Sequence, residues 1–180
     1  MAATQYVAFL RAVNVGGRIV KMAELKKIFE SAGLADVATF IASGNVIFRS
    51  PKAASGLEGQ IERALQNALG YTVTTILRTV SEVARVSTHE AYTAKELGGG
   101  GTLYVGFAQT RPSPAAVKKA LALQTKVDEL RFDDREIYWL ARKSIAESTI
   151  SMAAIERAAQ TPLTFRNINT VRRLAAKYPL

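Results

Sequence analysis

The chain has 180 residues, a formal net charge of +9 and a pI near 10.0, a length that makes one large or two small domains and buries roughly 70% of the unfolded surface. Cysteine is absent, which excludes thiol nucleophiles, redox pairs and disulfide staples and fits a cytoplasmic setting. No apolar run approaches the ~20 residues of a membrane span, and the N-terminus lacks the basic-then-apolar layout of a secretory leader, so a soluble, cytoplasmic protein without membrane contact is expected.

The chain opens with YVAFLRAVNVGG, residues 6 to 17, an apolar run that turns abruptly to Arg11, Asn14 and the paired Gly16 and Gly17. A buried strand delivering polar groups to one edge of a sheet has this pattern. Met22, Leu25, Ile28, Phe29 and Ala32 then recur at helical spacing, with Gly33 placed as a left-handed cap. Residues 37 to 49 give two short β-rich runs around Ser43, Gly44 and Asn45, the pattern of a hairpin. The spacing of Ser55 and Glu58 predicts a capping box ahead of Leu57, Ile61, Ala64, Leu65 and Ala68, and Gly70 stops that helix. Residues 72 to 78 read as a strand, and Thr79 with Glu82 starts a short helix to about Thr88.

Residues 94 to 101 end in four consecutive glycines and suit a connector. The expected division is therefore a first lobe over 1–93, a connector over 94–101 and a second lobe over 102–180. LYVGFA (103 to 108) is a strand, and Ser113 with Pro114 opens a helix. Residues 128 to 140 read as a hairpin turning near Asp134, a helix covers roughly 149 to 160, and a short extended piece spans Leu163 to Arg166. Asn169 is expected to cap a last helix with Val171, Leu174, Ala175 and Tyr178 on one face. Both halves thus give the βαββαβ order of a ferredoxin-like unit, an α+β fold of two such units with antiparallel sheets, either separate or fused into one body.

Three segments carry a family resemblance: LRAVNVGG followed by KMAELK, then IASGNVIF, then TFRNINTV. Together they resemble domain-of-unknown-function family 1697, a bacterial group of about this length. The resemblance implies a duplicated ferredoxin-like fold, with C-terminal strands possibly exchanged between the halves, and it implies no activity. The commoner form of the last motif carries Trp where this chain has Ile168, so a role needing an aromatic there is not carried over.

The charge excess is uneven. Residues 1 to 90 carry ten Lys or Arg against seven Asp or Glu, residues 91 to 180 fourteen against eight, and no acid follows Glu156. An anionic partner fits this balance, as does plain solubility. Gly16 and Gly17 follow a strand and precede a helix, so their amides would form an anion nest helped by Arg11, Asn14, Arg18 and Lys21, or simply a tight turn. The GK[ST] of a P-loop and a GxGxxG are both absent. Because first and third strands are neighbours in a ferredoxin-like unit, Arg11 and Asn14 are expected near Ser43 and Asn45. Arg166 and Asn167, with Asn169 and Thr170, gather donors at a helix start that then offers Arg172 and Arg173, although a cap and a solvated face explain the latter without a ligand. LYVGFA resembles one aromatic strand motif of RNA-recognition domains, but its partner is missing, and Tyr104, Tyr138 and Trp139 are expected to be packed. His89 stands alone, so no metal site is expected, and no cofactor motif appears.

The working expectation is non-catalytic binding of an anion, nucleic acid ahead of small phosphates, in a cleft between the lobes lined by Arg11, Asn14, Gly16, Gly17, Ser43, Asn45, Arg166 and Asn167. One alternative is a small enzyme acting on a phosphorylated or carboxylated metabolite, with Arg11 and Arg166 as a clamp and Ser43 or an unassigned acid moving the proton. Another is an interaction module that docks through its basic C-terminal helix.

Overall fold

The computed structural model describes residues 3–14, 17, 19–41 and 44–179. The chain forms two compact units, Met1–Ala84 with Leu174–Leu180, and Arg85–Arg173.

The first unit runs β1 (Thr4–Leu10), α1 (Met22–Ser31), β2 (Ala35–Phe40), β3 (Asn45–Ser50), α2 (Ala54–Leu69) and β4 (Thr75–Thr79). Its sheet has the antiparallel order β2-β3-β1-β4, which is that of a ferredoxin-like unit. Period-2 alternation sends Tyr6, Ala8, Leu10, Val46, Phe48 and Leu77 to the helix side, where they form one core with Leu25, Phe29, Leu57, Ile61 and Leu65. Val7, Phe9, Ile47, Ile76 and Arg78 alternate with these residues, so they belong to the other face, and they are buried as well.

The spacing of Ser55 and Glu58 predicts a capping box, and here the structure differs. Helix α2 begins at Ala54 after an N-cap at Ala53 that makes no side-chain bond. Glu58 is drawn instead to the outer strand, where its carboxylate accepts the Leu77 amide at 3.1 Å, and Glu62 accepts that of Thr75 at 2.9 Å. Tertiary partners outcompete the local box. The Thr79–Glu82 pair does form one: Thr79 N donates to Glu82 Oε2 at 2.7 Å and Glu82 N to Thr79 Oγ1 at 3.1 Å, starting α3 (Val80–Thr88).

The second unit carries α4 (Ala94–Gly98), β5 (Thr102–Ala108), α5 (Pro114–Leu121), β6 (Asp128–Asp133), β7 (Glu136–Ala141), α6 (Met152–Ala159), β8 (Leu163–Asn167) and the start of α7 (Ile168–Lys177). Its sheet order, β6-β7-β5-β8, repeats the first. Each fourth strand pairs with the first strand of its own half, β4 with β1 and β8 with β5, so neither sheet borrows a strand. Residues 94 to 98, which their glycine-rich neighbourhood assigns to a connector, are helical because Thr93 and Glu96 form a capping box. Helix α7 starts two positions earlier than expected, at Ile168, since Asn167 Oδ1, and not the Asn169 side chain, accepts a helix-start amide, that of Asn169 at 2.8 Å.

The duplication holds at the level of single bonds. Leu10 N donates to Gly44 O and Arg11 N to Thr74 O in the first half, while Ala108 N donates to Arg135 O and Gln109 N to Pro162 O in the second. Val7 opposes Arg78 in β4, and Val105 opposes Arg166 in β8. Trp139 lies in the helix-side core of the second unit, with Tyr104 at 5.6 Å and Phe165 at 5.9 Å between ring centroids. Its indole donates to the fully buried Asp128 at 3.0 Å.

Candidate functional site

In the second unit, the segment from His89 to Gly98 is strapped over the sheet. Tyr138 neighbours the core residues Ile137 and Trp139 along β7 and so belongs to the face away from the helices. The His89 ring packs on the Tyr138 ring at 4.8 Å and 30°, and the Tyr92 hydroxyl lies 2.9 Å from Glu129 O and 3.2 Å from Tyr138 O. Burial holds both phenols above the ordinary tyrosine range, so they stay neutral. The Arg131 guanidinium sits 4.2 Å from the Tyr92 ring centroid and bonds Ala91 O and the Glu96 carboxylate. Arg142 ties Glu129 to the carbonyls of Glu96 and Gly100.

Glu96 is the strap's electrostatic fastener. Its bonds from Arg131 and Thr93 hold its carboxyl down to about 2, against 4.5 ordinarily. A depressed folded value means the contribution is present above the ordinary range and lost as pH falls through the folded one. We expect the strap to stay fastened while ordinary carboxylates protonate and to loosen only as pH nears 2; amide exchange of residues 93 to 100 measures this. Glu96→Gln should give the fast exchange already at neutral pH.

Two adjoining hollows lie beside the strap. One, of about 330 Å³, is lined by residues that include His89, Glu90, Thr93, Leu97, Leu103 and Arg172. The other, of about 210 Å³, is lined by Gly101, Thr102, Asn167, Ile168 and Asn169 and shares Leu97, Leu103 and Arg172 with the first. Gly101 is required where it stands, because its φ is +109° and a Cβ would lie 2.6 Å from Ala141 O. Arg172 donates through Nε to Ser87 O at 3.4 Å, and no acid pairs with it among the described residues.

The expected site residues fall in both units. In the first, Asn14 Oδ1 accepts the Val20 amide at 2.8 Å, and the fully buried Asn45 donates to Phe40 O at 3.1 Å. Both side chains therefore build turns. The expected approach of the two loops is seen in the backbone, where Leu10 bonds Gly44, and a Cβ on Gly44 would meet Val13 at 2.8 Å. Arg11 is half-buried and Gly17 exposed, with φ of +80°; Gly16 and Ser43 lie outside the described residues. In the second unit, Arg166 is 8% exposed, its Nη1 donating to Thr164 Oγ1 at 2.7 Å and Phe165 O at 2.9 Å. Burial pushes its pKa down to about 10, which still leaves it charged at neutral pH. Asn167 lines the smaller hollow.

Sequence reasoning passed over Arg78, 1% exposed in β4 at the position equivalent to Arg166. The shared arginine of TILRT and LTFRN was the available signal. It also left His89 without a partner, although His89 Nδ1 stands 3.7 Å from Asp133 Oδ2. Tyr104 and Trp139, as potential base-stacking rings, are turned into the helix-side packing by the alternation of their strands.

Fold and sites together define a duplicated ferredoxin-like α+β protein with a polar hollow in its second unit. The chain belongs to the family described as "Protein of unknown function (DUF1697)", whose model matches residues 3–138. Among solved structures it is similar to the conserved bacterial protein SP0830 from Streptococcus pneumoniae, with 23% identity, 98% of each chain covered and a TM-score of 0.72. At that identity the likeness is one of fold. No curated protein matches.

Proposed function

We propose that this protein binds a small anionic ligand in the paired hollows of its second unit. The observation that carries the reading is Arg172, which lines both hollows and has no acidic partner among the described residues. A guanidinium placed in a concavity supplies charge and two parallel donors to a phosphate or carboxylate. Asn167 and Asn169 add polar groups at the start of α7, where the helix dipole also favours an anion. The net charge of +9 works in the same direction at longer range. The volumes suit a small molecule, and Tyr104 and Trp139 are packed inward, so the geometry favours a small oxyanion compound over a stacked nucleic-acid strand.

The test is calorimetric or NMR titration with inorganic phosphate and sulfate, and with single-stranded oligonucleotide at rising salt. Arg172→Ala should weaken oxyanion binding about tenfold or more, as expected for loss of a charge-assisted pair, with an unchanged circular dichroism spectrum. Equal binding by wild type and Arg172→Ala would overturn the reading. Oligonucleotide binding that is tight, steeply salt-dependent and indifferent to Arg172 would replace it with the nucleic-acid alternative.

A further inference from the structure

The larger hollow holds a second group able to become a cation. His89, the only histidine of the chain, lines the same 330 Å³ space as Arg172. Its ring is held from two sides, with Nδ1 3.7 Å from Asp133 Oδ2 on β6 and its plane against Tyr138 on β7. Among the described residues no protein group bonds Nε2.

We infer that the hollow takes a doubly charged oxyanion of the phosphate-monoester class, bound between Arg172 and protonated His89 with uptake of one proton. The inference rests on the binding reading above and adds the ligand's charge and its coupling to pH. A carboxylate carries one charge, which Arg172 alone matches. A dianion needs a second cation, and imidazole is the side chain that gains a charge between about pH 5 and 8. The proton goes onto Nε2, which turns that nitrogen from acceptor to donor towards the ligand.

The other charged groups around His89 do not supply that second cation. Glu90 lines the hollow and is acidic, as is Asp133. Tyr138 stays neutral, and Arg85 on α3 faces Glu136 at 4.0 Å. On α4, Glu96 is engaged by Arg131.

The probe is sulfate, which stays a dianion across this range, with acetate as the singly charged control. Linkage to one proton makes affinity fall by up to about tenfold per pH unit once the ring is deprotonated. Wild-type affinity for sulfate should therefore drop about tenfold or more between about pH 5.5 and 8.5, while acetate changes far less. His89→Gln should bind sulfate at the weak, high-pH wild-type level throughout. Saturating sulfate should also move the midpoint of the single histidine ring-proton NMR titration upward in wild type and not in Arg172→Gln. Sulfate binding that depends on Arg172 yet is equal at both pH values, or that keeps its slope in His89→Gln, would overturn the proton coupling alone. Absence of sulfate binding at every pH would overturn the hollow as a ligand site and this inference with it.

Discussion

Asp128→Ala is expected to destabilise the second unit by about 3 kcal/mol, measured by urea unfolding. Asp128 is fully buried and accepts from Trp139 Nε1 at 3.0 Å, Ser148 Oγ at 2.8 Å and Thr125 Oγ1 at 3.3 Å. One carboxylate therefore joins the start of β6 to β7 and to the loop ahead of α6. Alanine leaves the indole N–H inside the core without its acceptor, whereas Ser148 retains its bond to Ile150 O and Thr125 the amides it accepts. The tryptophan is the only one in the chain, so its emission reports the change directly. Asp128→Asn keeps an acceptor for the indole and should cost about 1 kcal/mol. Equal losses in the two variants would mean that the net charge, and not the acceptor, is what matters.

Phe48→Ala is expected to cost the first unit about 3–5 kcal/mol, the range for emptying a buried aromatic site. Phe48 is fully buried in β3, stacked on Tyr6 at 5.6 Å and tilted against Phe29 at 5.7 Å. The ring links strand β1 to helix α1, so its loss removes contacts on both layers at once. Phe48→Leu refills most of the volume and should recover all but about 1–2 kcal/mol in the same urea experiment. A loss below about 1 kcal/mol for alanine would show that this core collapses onto the gap.

How far the molecule is legible in its letters depends on whether a local pattern has a distant competitor. Tyr6 to Leu10 form an unbroken apolar run and Leu57, Ile61 and Leu65 recur at helical spacing, and nothing elsewhere in the chain contests those patterns. The Thr79–Glu82 box forms as written. The Ser55–Glu58 box has the same letters, but Glu58 finds the Leu77 amide, a partner created only when α2 lies on the sheet. The Thr93–Glu96 box was hidden by the glycines behind it, and Arg131 on strand β6 is what secures its glutamate.

The site was less legible for the same reason. Arg172 reads as a solvated helix face, and only the strap from α3 to α4 turns that face into a wall. His89 looks solitary because Asp133 and Tyr138 reach it through β-pairing and not through sequence proximity. Asn14 and Asn45 stand out as polar groups beside glycines, and the local bonds that the structure adds, to the Val20 amide and the Phe40 carbonyl, are of the kind asparagine makes at turns.

Three glutamates from α2 and α3 take the outward amides of strand β4. Thr75, Leu77 and Thr79 give their amides to Glu62, Glu58 and Glu82, and β4 is the last strand of its sheet. An incoming extended peptide needs those protons to dock by β-augmentation, and it meets carboxylates already in place. The same glutamates make this margin a poor template for fibril growth, so the unit resists polymerising through β4 without needing proline or a bulge there.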